Sequence, residues 1–167
     1  MIITADTTDT QIAVAAAQHY YPTGAPPQLC TRLVETCRYV TGLPDGGWPE
    51  TRQGWLQAQD QFDQLSYNLA HQVADAAKQL ERERDEARQR RDLSIAERAV
   101  TPYLSIVDTI VRLSTEAHEL PTDDNYYVDV IRQTYPDLDP AIAESISRVC
   151  VARMNGPYRA YATLAGN

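Results

Sequence analysis

The chain has 167 residues, of which 43% are hydrophobic and 23% charged, and its formal net charge is −8. The length falls within the ~100–200 residues of one domain, and a chain of this size buries enough surface to fold without disulfides or metals. The ordinary composition excludes a wholly disordered or collagen-like polymer, and a pI near 4.8 argues against a general nucleic-acid binder, which needs a basic surplus.

Charge is unevenly spread. Residues 1–80 hold 4 basic and 8 acidic groups, 81–100 hold 6 of each, and 101–167 hold 5 against 9. Lys78 is the single lysine beside 14 arginines, a bias that a GC-rich genome would produce without any functional reason. No segment approaches the ~20 apolar residues of a membrane span. The start, Met1-Ile2-Ile3-Thr4-Ala5-Asp6, lacks a basic n-region, so no secretory signal is expected and a cytoplasmic location is. Cys30, Cys37 and Cys150, odd in number and widely spaced, read as reduced core thiols rather than a metal site.

Helical periodicity runs through almost the whole chain. Thr8 and Gln11 have capping-box spacing and open a short helix to about Tyr20. The proline-rich stretch Tyr21–Pro27 is a loop. A second helix begins near Pro27, buries Leu29, Leu33, Cys37 and Val40, and stops at Gly42. The Gly- and Pro-rich run 42–49 is a connector, with Trp48 folded back on the body. It lacks the lysine and spacing of a phosphate-binding loop.

From Glu50 no proline appears until Pro102, and Trp55, Phe62, Leu65, Leu69, Val73 and Leu80 form one apolar stripe. The stripe fades into residues 81–92, which contain five acids, five arginines and one apolar residue, Ala87. Pairs such as Arg82–Glu86, Glu86–Arg90 and Arg88–Asp92 lie at i,i+4 and support a helix with no core beneath it. One helix from 50 to 91 would reach roughly 60 Å, so the charged end is expected to project into solvent.

Ser94 and Glu97 mark a new helical start. A returning helix over about 95–119, kinked at Pro102, is predicted to lie antiparallel to the stripe, with Tyr103–Leu113 at the centre of the core. Thr122 and the acids after it cap a helix with the face Tyr127, Val130, Ile131 and Thr134. Asp139-Pro140 opens a last helix lined by Ile142, Ile146, Val149 and Cys150, which Asn155-Gly156-Pro157 ends.

These elements predict an all-α protein: a single domain over 1–167 in which a long antiparallel hairpin (about 50–92 and 95–119) carries a helical pair at each end (1–47 and 121–167). Function is less legible. Carboxylates three apart on a helix can share a divalent cation, and Asp60/Asp63 with Glu116/Glu119 fall on the two expected hairpin partners. These four define the alternative reading, a Mg²⁺-dependent all-α nucleotide pyrophosphohydrolase-like enzyme. His19, His71 and His118 have no metal-ligand spacing, and no nucleophile elbow occurs. The last two helices imitate a helix-turn-helix, but Glu144 would face DNA, so a packing motif is preferred. A further alternative is an acidic inhibitor that mimics nucleic acid.

Ten tyrosines against one phenylalanine, clustered near helix ends, suit protein interfaces. The leading expectation is therefore a non-catalytic interaction or assembly module without a cofactor. It would bind protein partners, copies of itself included, and neither membrane nor nucleic acid. The candidate contact residues are Arg82, Arg84, Arg88, Arg90, Arg91, Tyr126, Tyr127, Tyr158 and Tyr161.

Overall fold

The computed structural model describes residues 1–44 and 47–165, the side chains of 157–165 excepted. The protein is all-α, with no strand among the described residues. The helices are α1 (Asp9–Ala16), α2 (Pro27–Thr41), α3 (Trp48–Gln61), α4 (Tyr67–Ala99), α5 (Leu104–Glu116), α6 (Val128–Thr134) and α7 (Pro140–Ala165). Single 3₁₀ turns follow α1 (Ala17–His19) and precede α5 (Thr101–Tyr103). The chain forms two compact units, Met1–Arg88 and Gln89–Asn167, whose boundary falls inside α4.

The first unit is built as the sequence predicts at its start. The Thr8 hydroxyl accepts the Gln11 N–H, and the Gln11 side chain accepts the Thr8 N–H at 2.8 Å, completing the capping box. Pro27 occupies the first turn of α2, and Gly42 caps its end. Leu33, Cys37 and Val40 are buried as expected, together with Cys30 and Val34, while Leu29 is half-buried. Against them lie Ile12, Ala13 and Ala16 of α1 and the small face Ala70, Val73, Ala74 and Ala77 of α4.

The predicted helix over 50–92 is interrupted. α3 ends at Gln61, and Phe62, in extended backbone at φ −133°, starts a turn in which Gln64 adopts φ +63°. Phe62 and Leu65 continue the apolar rhythm because both turn residues drop into the core, so the stripe alone hid the break. The Tyr20 hydroxyl donates to the Asp63 carbonyl and ties this turn to the end of the 3₁₀ turn that follows α1. Conversely, the turn expected near 92–95 is absent. α4 runs through Ser94 and Glu97 to Ala99, so the hairpin tip does not form there. That stretch has neither Gly nor Pro, and a capping box alone does not stop a run of good helix formers.

In the second unit the core centres on α7 rather than on α5. Ala143, Ile146, Val149, Cys150, Val151 and Met154 are buried against Ala96, Val100, Val107, Tyr127 and Ile131. Within 103–113 only Val107 is fully enclosed, and Leu113 is 52% exposed. Pro102 lies in the 3₁₀ turn that separates α4 from α5, a break where a kink was expected. α5 ends in a Schellman motif, with Glu119 N–H on the Ser114 carbonyl at 2.9 Å and His118 N–H on Thr115 at 3.2 Å. His118 takes the left-handed position there at φ +56°. α6 begins later than the Thr122 signal implies, because Asp123 instead accepts the Asn125 N–H and the chain turns until Val128. Val130, expected on the buried face of α6, is exposed.

Asp139 caps α7 through the Ala141 N–H at 2.7 Å. The expected stop at Asn155-Gly156-Pro157 is overrun, and the helix continues to Ala165. Residues 158–165, Tyr-Arg-Ala-Tyr-Ala-Thr-Leu-Ala, contain three alanines, a leucine and an arginine, which favour helix enough for it to continue past the proline.

Candidate interaction surface

The arginine-rich run lies on α4 and is helical throughout. It is not a free tip. The Arg84 side chain is only 12% exposed and clamps the Asp9 carboxylate at the start of α1. Arg88 Nε donates to the Ala5 carbonyl at 3.0 Å, and Glu81 meets Arg38 of α2 at 2.8 Å. The Arg84 guanidinium, by hydrogen bond and then by charge, holds the Asp9 carboxyl below the usual carboxylate range. Arg84 and Arg88 therefore serve to fasten the N-terminal segment, which no local periodicity could reveal. Arg82 and Arg90 are exposed, and Arg91 pairs with Asp92 at 3.3 Å.

The tyrosines divide. Tyr127 is only 4% exposed: its N–H donates to Ser147 Oγ at 3.0 Å and its hydroxyl reaches Met154 Sδ at 3.2 Å. It belongs to the core, which corrects its place among the contact residues, and burial raises its phenol above the usual value. Tyr126 stays exposed and stands edge-on to Tyr127, with ring centroids 5.0 Å apart. The side chains of Tyr158 and Tyr161 lie outside the described residues.

The four carboxylates of the metal reading are exposed and their spacing is not helical. α3 ends between Asp60 and Asp63, and α5 ends at Glu116, so Glu119 sits beyond the left-handed His118. Glu116 instead pairs with Arg112 at 3.1 Å. Among the described residues no three His, Cys, Asp or Glu side chains gather where they could hold a metal ion. The arginines of the last two helices are engaged in surface ion pairs: Arg148 meets Asp124 at 3.2 Å, Arg153 meets Asp108 at 2.8 Å, and Arg132 meets Glu144 at 3.1 Å. All three cysteines are buried free thiols, and desolvation pushes Cys37 and Cys150 up to about 12.

Sequence reasoning missed the surface formed by α2 and α3. A cleft of about 270 Å³ opens between them. Glu35, Thr36 and Tyr39 line it from α2; Gly54, Gln57, Ala58 and Gln61 line it from α3. Spacings of three, four and seven put each set on one helical face. Gly54 is buried here: a Cβ would stand 2.7 Å from the movable Cδ1 of Leu43, just beyond α2, and in ordinary contact, 3.4 Å, with the Tyr39 ring. Thr36 Oγ1 donates to Gln61 Oε1 at 3.5 Å across the cleft. Tyr39 remains 57% exposed.

Around the outside of α3, Trp48 and Leu56 stand two turns apart. Trp48 is 69% exposed, not folded back as expected, because as the first helical residue it precedes the part of α3 that packs on α2. A glycine inside an otherwise helical run was the one available signal for the cleft. No family model matches the chain, nor does any curated protein or solved structure. No helix among the described residues is long and apolar enough to cross a membrane.

Proposed function

We propose that the protein is a non-catalytic helical module that binds protein chains, copies of itself included. One observation carries the reading: Tyr39 of α2 and Trp48 at the start of α3, a helix packed on α2, are each more than half exposed. Large, stiff aromatics lose little entropy on docking and dominate the energetics of protein interfaces. A core that needed them would have covered them. Leu113 of α5, also half-exposed, offers a second apolar surface on the other unit.

The test is mass against concentration by light scattering, with cross-linking in the native host, on the wild type and a Tyr39→Ala/Trp48→Ala variant. The module reading expects either a mass that climbs above the 18.7 kDa monomer or discrete cross-linked partners, and expects the variant to lose them. An 18.7 kDa mass at every concentration, with cross-links identical in wild type and variant, would overturn it.

A further inference from the structure

We infer that the α2–α3 cleft is a receptor for one arginine side chain of a protein partner, an inference that rests on the module reading. The cleft, about 270 Å³ and open to solvent, has room for a single long side chain.

The lining decides its chemistry. Glu35 contributes a carboxylate that makes no ion pair among the described residues. Its helical neighbour Arg38 is already committed to Glu81. Gln57 adds an amide oxygen, Gln61 an amide whose oxygen also accepts from the Thr36 hydroxyl, and Tyr39 a half-exposed ring. Acceptors set around an aromatic face match a planar guanidinium, which can hydrogen-bond in its plane while stacking on the ring. A lysine ammonium, a compact and strongly hydrated point charge, uses the ring less well. The net charge of −8 draws a basic partner from a distance, and the cleft then selects among its side chains.

The experiment titrates the ¹⁵N-labelled full chain with N-acetyl-arginine N-methylamide, its lysine analogue and free arginine, following amide shifts by NMR. The Gly54 backbone amide and the Gln57 and Gln61 side-chain amides are the reporters. Saturable shifts confined to the cleft are expected from the blocked arginine, with weaker binding of the lysine analogue. Glu35→Gln and Tyr39→Ala should each weaken binding by about three-fold. Both positions are exposed, so an unchanged circular dichroism spectrum verifies folding.

Three results would overturn the inference. Shifts could spread over the acidic surface and be equal for arginine and lysine, they could survive both substitutions, or free arginine could bind more tightly than the blocked form. The module reading is judged by mass and cross-linking instead, so a blank titration removes the arginine receptor and leaves that reading standing.

Discussion

Ser147→Ala tests the account of the second unit's core most directly. Ser147 is fully buried on α7, and its hydroxyl accepts the Tyr127 N–H at 3.0 Å, at the point where α6 begins. That N–H precedes the first α6 residue and has no intrahelical partner. Truncation leaves it unpaired where water does not reach, at about 1–3 kcal/mol. Alanine returns roughly 0.5 kcal/mol of helix propensity at that position. The net expectation is a loss of about 1–2 kcal/mol. With a urea slope of about 2 kcal/mol per molar, the midpoint should fall by roughly 0.5–1 M at unchanged slope.

Urea titration by circular dichroism gives the midpoint, and hydrogen exchange at the Tyr127 amide gives the local effect. Ser145→Ala, where the hydroxyl only returns to the Ala141 carbonyl one turn back, serves as the control and should stay within about 0.5 kcal/mol. A midpoint and a Tyr127 protection factor both equal to wild type would refute the reasoning.

Three further outcomes follow from the same physical account. His118→Gly removes a side chain from a left-handed position while keeping both Schellman bonds, and should stabilise the chain by about 0.5–1 kcal/mol over His118→Ala in urea titrations. On acidification, the Arg84–Asp9 clamp should persist above the ordinary carboxylate value of 3.8. It should be lost as pH falls through the lowered value of folded Asp9, because a depressed pKa stabilises only while the group is ionised. Amide exchange over residues 1–8 against pH reads this, and Asp9→Asn should abolish the pH dependence. Cys37 and Cys150, buried and pushed up to about 12, should resist a thiol reagent at pH 8 in the native protein and react at once in urea.

What the sequence revealed follows from how local each cause is. The Thr8–Gln11 box, Pro27 in the first turn, Gly42 at the cap and Asp139 before Pro140 each act within a few residues, and all four stand where the pattern puts them. The ends of α3 and α5 were hidden because left-handed backbone falls on Gln64 and His118 rather than on glycine. The charged run misled for another reason. Composition shows that Arg84 and Arg88 lie where the apolar stripe has faded, but not that Asp9 and the Ala5 carbonyl, some 75 to 83 residues earlier, come to meet them. The α2–α3 cleft depends on a tertiary fit around Gly54, and Tyr127 on a hydroxyl twenty residues away. The tyrosine excess raised interface chemistry as an idea while leaving open which rings stay outside.

The placement of the two indoles gives the molecule a built-in optical label. Trp48 and Trp55 both belong to Met1–Arg88, and the remainder of the chain absorbs through tyrosine alone. Emission excited at the red edge therefore watches one half of the polypeptide while the far-ultraviolet signal watches all of it. Comparing the two during denaturation shows, without any engineered probe, whether the halves melt together or in sequence.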